Sequence, residues 1–107
     1  MPVYFGLYRV NFNIPPPPTP QDAVRMYEAF AALIRSQMQV GILKEAHGFV
    51  DSSGNGYFIT GDVSDEVLYE ALAMWAPFVS FELHRTIPYP KAIDLVVSAA
   101  KKVAEQR

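Results

Sequence analysis

Two histidines are the residues of this chain best suited to proton transfer. Each stands two positions after a glutamate, as Glu45-Ala-His47 and Glu82-Leu-His84. Side chains alternate along a strand, so residues two apart point to the same side. An imidazole changes its charge near neutral pH and suits general acid–base catalysis. We therefore take His47 and His84 as candidate catalytic residues and Glu45 and Glu82 as candidate substrate-binding residues. The alternative is two ordinary hydrogen-bonded or solvent-facing histidines.

Aromatic residues offer a second set of candidates. Tyr4 and Tyr8 share one side of the first predicted strand, and Phe58 lies in the third. A tyrosine ring can pack a ligand while its hydroxyl orients a polar group. Tyr4, Tyr8 and Phe58 complete the candidate substrate-binding residues, and the alternative is the wet rim of an aromatic core.

Several other chemistries have no support in the sequence. The chain has no cysteine, so disulfides and thiolate metal sites are excluded. Neither HxH nor HxxxH spacing occurs, so no metal site is predicted. The glycine-rich segment 51–56 precedes a strand rather than a helix, unlike a phosphate-binding loop. Ser80 and Ser98 lack the context of a hydrolase triad. No cofactor is expected.

Size and charge indicate one domain covering residues 1–107. Half of the 107 residues are hydrophobic, enough to bury a core, and the net charge is -2. Lysine and arginine are scattered, so neither nucleic acid nor an acidic membrane surface is an expected partner. No apolar run approaches the roughly 20 residues of a membrane span. The N-terminus is typical of a strand rather than a signal peptide. We expect a soluble cytoplasmic protein.

Periodicity and capping signals predict the order β-α-β-β-α-β, followed by a third helix. The predicted strands cover residues 3–13, 42–51, 57–62 and 79–87. The first helix begins at Thr19 and ends near Gly41, the second runs from Ser64 to Pro77, and the third covers 92–106. This order is typical of a ferredoxin-like α+β domain. Such a domain has an antiparallel sheet in order 4-1-3-2 with two helices on one face.

Alternation divides the predicted strands into two faces. We expect the helix-facing side to carry the apolar set, namely Val3, Phe5, Leu7, Ile42, Ala46, Val50, Tyr57, Ile59, Phe81 and Leu83. The opposite side would then carry Tyr4, Tyr8, Leu43, Glu45, His47, Phe49, Phe58, Thr60, Asp62, Glu82 and His84. That mixture is too apolar to lie open in water and too polar for an ordinary core. It predicts a homodimer in which two sheets, stacked about 10 Å apart, enclose a pocket.

The helices carry apolar stripes of their own. In the first helix a 3-4-3-4 spacing predicts a buried stripe of Val24, Tyr27, Ala31, Ile34 and Met38. In the third, Ile93, Val96, Val97, Ala100 and Val103 form a stripe that needs a surface to pack on. We expect the third helix to be a further element of the dimer.

The predicted topology places the two histidines far apart within one subunit. Strands two and four are opposite edges of the sheet, separated by three strand spacings, roughly 14 Å. That distance is too long for one metal or one proton relay. In a face-to-face dimer, strand four of one subunit approaches strand two of the other, so a shared His47–His84 site requires a second subunit.

Residues 41–93 carry a family resemblance, together with the alternating first strand. The glycine-rich hairpin Ser53-Gly54-Asn55-Gly56, the acidic helix start Asp65-Glu66, Trp75, and the strand pair Phe81-Glu82 follow one another in that order. In these features the chain resembles the dimeric α/β-barrel superfamily, which includes muconolactone isomerase and small cofactor-independent monooxygenases. The resemblance implies a dimeric barrel but transfers no catalytic residue, because that superfamily hosts unrelated chemistries.

Three functions are compatible with the sequence. The first is a cofactor-independent isomerase or monooxygenase-like enzyme that holds a small hydrophobic or aromatic molecule and uses His47 or His84 as the base. The second is a non-catalytic ligand-binding or regulatory domain. The third is a structural homo-oligomer without a ligand.

Overall fold

A computed structural model of the chain describes residues 3–11 and 14–106. Seven elements follow one another: β1 (Val3–Val10), α1 (Pro20–Gln39), β2 (Leu43–Gly48), β3 (Gly56–Thr60), α2 (Asp65–Ala73), β4 (Val79–Thr86) and α3 (Tyr89–Glu105). The first strand was predicted to reach Asn13 but ends at Val10, and Phe12 and Asn13 lie outside the described residues.

The strands form a four-stranded antiparallel sheet in the order β2-β3-β1-β4. Counted from the β4 edge, this order reads 4-1-3-2. With three helices, the chain is an α+β structure whose element order is that expected from the sequence. The central strands are therefore β1 and β3. The edge strands β2 and β4 each carry one of the Glu–His pairs.

Side-chain caps start the first two helices. Thr19 accepts a hydrogen bond from the backbone N–H of Asp22 at 3.1 Å, and Pro20 follows at the first helical position. Ser64 accepts one from the N–H of Val67 at 3.3 Å. Acidic residues in the first turns, Asp22 and Asp65 among them, complement the positive ends of the helix dipoles.

The core lies between the sheet and the pair α1 and α2. Its most buried residues are Leu43, Phe58, Thr60, Leu68, Ala71 and Gln37. The buried Gln37 amide donates to the carbonyl of Ala71 at 2.9 Å and accepts from the indole N–H of Trp75 at 3.0 Å. Phe30 packs against Trp75 and Phe78, with ring centroids 5.5 and 5.4 Å apart. These contacts hold α1 against α2.

The predicted faces are wrong for the two central strands. Phe58 is 3% exposed and Thr60 fully buried, so this side of β3 faces the helices. Their neighbours across β1 on the same side are Gly6, Tyr4 and Tyr8, and the hydroxyl of Tyr4 reaches Asp65 in α2. The other side of β1 and β3 therefore lies away from the helices, with Val3, Phe5, Leu7, Tyr57 and Ile59. Strict alternation says which residues share a side but not which side is buried.

The edge strand β2 changes phase at a bulge. The register with β3 shifts between Leu43, which pairs with Thr60, and Glu45, which pairs with Ile59. Leu43 consequently points into the core and is 3% exposed, whereas Glu45 and His47 point to the opposite side. The sequence alone predicted all three on one side, because a bulge inserts one residue without disturbing the residue types around it.

The stripe predicted to be buried on α1 is mostly exposed. Val24, Tyr27 and Met38 are 53%, 64% and 41% exposed. The side that packs on the core carries Ala23, Met26, Phe30, Leu33 and Gln37. Both sets follow a 3-4-3-4 spacing, so α1 has two adjacent apolar stripes and the core covers only one of them.

Helix α3 projects from the end of β4. None of its residues is buried. The molecule measures 68 × 27 × 23 Å, and its radius of gyration of 18.6 Å exceeds the roughly 13 Å of a compact chain of this length. Within the described residues, no helix has the length and apolar character of a membrane span.

Candidate functional site

The side of the sheet away from α1 and α2 bears the candidate site, and we call it the open face. Strand register arranges its side chains in two parallel rows that cross all four strands. One row is His84–Phe5–Ile59–Glu45, and the other is Glu82–Leu7–Tyr57–His47. Each row has a histidine at one edge, a glutamate at the other and two apolar residues between them.

A run of aromatic rings lies at the centre of the open face. Tyr57 stacks on Phe5 with ring centroids 5.5 Å apart and an interplanar angle of 27°. On its other side Tyr57 stacks on the imidazole of His47 at 4.9 Å and 24°. Phe49 lies 6.2 Å from Tyr57. A flat, half-exposed platform of this kind can stack a planar molecule.

The titratable groups occupy the two edges. At the β4 edge, His84 Nε2 lies 3.7 Å from Glu82 Oε2, and the two side chains are 56% and 59% exposed. At the β2 edge, Glu45 and His47 are also exposed. As predicted, each His shares its side with the neighbouring Glu. The two pairs lie on opposite edges of one sheet, so they form two separate groups within one subunit.

The aromatic candidates Tyr4, Tyr8 and Phe58 do not line the open face. Tyr8 donates from its hydroxyl to the backbone carbonyl of His47 at 2.9 Å, and burial raises the pKa of this phenol. Tyr4 donates to Asp65 at 2.8 Å, and this hydrogen bond to a carboxylate raises the pKa of Tyr4. Phe58 packs edge-to-face on Phe81 at 5.8 Å. Tyr4 therefore joins the sheet to α2, whereas Tyr8 and Phe58 make contacts between strands.

Sequence reasoning missed Phe5, Tyr57 and Ile59 as residues of the open face. The signal that identifies the sides is the position of glycine. A Cβ at Gly6 would lie 2.1 Å from Cζ of Phe58, and one at Gly56 would lie 2.6 Å from Cζ of Tyr8. Large rings on the helix side fit because their neighbours across the strands have no side chain. Glycines opposite Phe58 and Tyr8 therefore mark the packed side.

The open face also has a shallow depression of about 260 Å³ beside β1 and β4. It is lined by Leu7, Arg9, Ser80, Phe81 and Glu82. The Arg9 guanidinium and the Glu82 carboxylate give it charges of both signs. In residues 3–11 and 14–106, no three His, Asp or Glu side chains come together as a metal site would require.

Comparison with known proteins adds no assignment to this geometry. No protein-family model matches the chain, and no curated protein matches its sequence significantly.

Proposed function

We propose that the chain is a ferredoxin-like subunit of a homodimeric α/β barrel, and that its open face binds a small hydrophobic or aromatic molecule. The observation that carries the proposal is the ring platform of Phe5, Tyr57 and His47 between two Glu–His edges. A planar ligand gains stacking and apolar contact at the centre and meets proton-exchanging groups at either side. A second copy of the chain supplies the opposite wall.

Stacked sheets would also reduce the separation of the two histidines. His47 and His84 lie on opposite edges of one sheet, roughly 14 Å apart by strand spacing. If two open faces meet about a two-fold axis parallel to the strands, the β4 edge of one subunit lies over the β2 edge of the other. A ligand between them then has an imidazole from each subunit within reach, and either can act as the base of a cofactor-independent isomerase or monooxygenase-like reaction.

Binding is tested with 2-naphthol, a planar probe with its own fluorescence. Tyr57→Thr removes the central ring of the platform, and we expect binding to weaken by at least about 10-fold, because stacking contributes roughly 0.5–1.5 kcal/mol beyond area burial. The matched control is Tyr69→Thr, since Tyr69 is a 79% exposed tyrosine of α2. Equal affinities for wild type, Tyr57→Thr and Tyr69→Thr would exclude the open face as the binding site.

Catalysis is tested with 2-tetralone, an aromatic ketone with an acidic C–H bond beside its carbonyl. A base at the open face should accelerate incorporation of deuterium from D₂O at that carbon, followed by NMR. The double variant His47→Gln/His84→Gln should reduce the acceleration at least about 100-fold, the lower end of general-base contributions, and the two single variants show which imidazole is the base. Binding of 2-naphthol without any acceleration would favour the second candidate, a non-catalytic ligand-binding domain.

A further inference from the structure

Helix α3 has an apolar face that no residue in the described ranges 3–11 and 14–106 buries. At about 100° per residue, eight of its apolar side chains fall within an arc of about 140°. They are Tyr89, Ala92, Ile93, Val96, Val97, Ala100, Val103 and Ala104. Tyr89 is 74% exposed and Val96 60%. The charged residues of the helix lie on its other side. We call the apolar side the α3 face.

Helix α1 presents a matching exposed surface. Its second stripe runs nearly the length of the helix and consists of Val24, Tyr27, Ala31, Ile34 and Met38. Val24, Tyr27 and Met38 are exposed, Tyr27 by 64%, and Ala31 and Ile34 are half-buried. We call this second stripe the outer α1 stripe. Its 3-4-3-4 spacing equals the spacing of Ile93, Val96, Ala100 and Val103 in α3, as expected for two helices that pack along each other.

The area exposed by one chain indicates that these surfaces have a large partner. The accessible surface is 8067 Å² for 12.0 kDa. A compact monomer of this mass exposes about 6,000 Å², so the surplus is about 2,000 Å². A standard protein–protein interface buries about 800 Å² per partner. The surplus therefore matches one subunit of an extensive dimer.

Helix α3 does not lie along the outer α1 stripe of the same chain. Only Ile87 and Pro88 join β4 to α3, and this link spans at most about 10 Å, so α3 begins at the β4 edge of the sheet. Helix α1 packs beside β2, at the opposite edge, about three strand spacings or 14 Å away. No residue of α3 is buried, so the helix does not fold back across the sheet onto α1. We therefore assign the partner of the α3 face to another copy.

Charges beside the two surfaces fix their relative direction. Glu28 and Arg35 flank the outer α1 stripe seven residues apart, and Asp94 and Lys101 flank the α3 face with the same spacing. Antiparallel packing places Glu28 beside Lys101 and Arg35 beside Asp94. Parallel packing would place the charges of the two helices on opposite flanks of the contact, where neither pair forms.

The same antiparallel alignment also matches the apolar residues. Tyr27 then lies opposite Val103, and Ile34 opposite Val96. Met38, at the end of the stripe, lies opposite Ile93. Apolar side chains therefore face one another along the contact.

We propose that α3 of each chain packs antiparallel along the outer α1 stripe of a second copy, so that a two-fold dimer exchanges its C-terminal helices. The contact is isologous and is made twice. This inference names a second interface and does not depend on ligand binding at the open face.

Cross-linking tests the contact directly, because the chain has no cysteine of its own. Tyr27→Cys and Val103→Cys chains with different tags are co-expressed and oxidised. Both positions are exposed, 64% and 50%, so the substitutions should leave the fold of each chain intact. We expect a disulfide-linked heterodimer. The matched control replaces Tyr27→Cys by Ser36→Cys, since Ser36 is exposed on another side of α1, and should give no heterodimer.

Three outcomes would overturn the proposal. A disulfide between two Val103→Cys chains would show that α3 pairs with α3 of the other copy. A disulfide within a single chain that carries both Tyr27→Cys and Val103→Cys would show that α3 folds back onto its own α1. If the wild type is dimeric but the Tyr27→Cys and Val103→Cys chains form no disulfide, the dimer interface is the contact between open faces and not the one proposed here. Loss of 2-naphthol binding has no bearing on these outcomes, so failure of the proposed function is distinguishable.

Charge reversal tests the alignment. Glu28→Lys should raise the dimer dissociation constant about 10-fold, because each dimer contains the Glu28–Lys101 pair twice and both become repulsive. Adding Lys101→Glu should restore the constant to within about 3-fold, as measured by sedimentation equilibrium. Glu70→Lys, an exposed reversal on α2, should have no effect. Failure of Lys101→Glu to rescue Glu28→Lys would rule out the antiparallel alignment.

Discussion

Gln37 is the polar residue on which the packing of α1 against α2 depends most directly. It is 3% exposed, and its amide satisfies both the carbonyl of Ala71 and the indole N–H of Trp75. A buried donor or acceptor without a partner costs about 1–3 kcal/mol. The sequence does not identify Gln37 as the partner of the Trp75 N–H, because a glutamine among apolar residues is usually assigned to the surface.

Replacing Gln37 by leucine should lower the free energy of unfolding by about 2 kcal/mol or more, since two buried polar groups lose their partners while the volume is kept. Urea denaturation followed by the fluorescence of Trp75, the only tryptophan of the chain, measures the change. Gln39→Leu is the matched control, because Gln39 is exposed two residues away on the same helix. Equal stabilities of the two variants would contradict this account.

At the scale of elements, the helix-facing side of the sheet packs large rings against glycines on the neighbouring strand. Element order and the Glu–His placement on one side of each edge strand could be predicted from the sequence, because they depend on local periodicity and capping. Which side of β1 and β3 is buried could not be predicted, since adjacent residues such as Tyr57 and Phe58 lie on opposite sides and are equally apolar. The choice comes from Gly6, which leaves room for Phe58 and none for a larger residue.

Gly6→Ala should therefore destabilise the fold by about 2 kcal/mol or more, because the added methyl group would lie 2.1 Å from Phe58 Cζ. Thermal unfolding of the single variants and of Gly6→Ala/Phe58→Leu measures the coupling. The smaller leucine should make the double variant more stable than the sum of the single effects predicts. Gly48→Ala should be tolerated, since the nearest atom to its added Cβ is 3.7 Å away. Strict additivity of the two substitutions would refute the proposed packing.

At the scale of the whole molecule, α3 buries none of its residues and exposes its apolar face. The sequence predicted both the amphipathic helix and its need for a packing surface, but it placed the outer α1 stripe in the core. Two adjacent stripes with the same spacing cannot be distinguished by periodicity. Only the contact of Phe30 and Gln37 with α2 shows which of them the core covers.

A 17-residue helix with no buried residue is only marginally stable in water. Amide exchange in α3 should therefore slow as protein concentration rises, measured by hydrogen–deuterium exchange above and below the dimer dissociation constant. Val96→Glu places a charge in the α3 face and should leave α3 rapidly exchanging at every concentration. Ser98→Glu, on the charged side of the same helix, should behave like wild type. Slow exchange in a monomeric wild-type chain would contradict the prediction.

The bulge between Leu43 and Glu45 also affects how readily the sheet edges of different molecules aggregate. A long, regular outer strand offers its free N–H and C=O groups to strands of other molecules and can start aggregation, whereas a bulge and charged side chains interrupt that template. The β2 edge has both, with Lys44 at the irregularity and Glu45 beside it. The β4 edge runs without a bulge for eight residues. Unwanted strand-to-strand polymerisation of this protein should therefore start along β4.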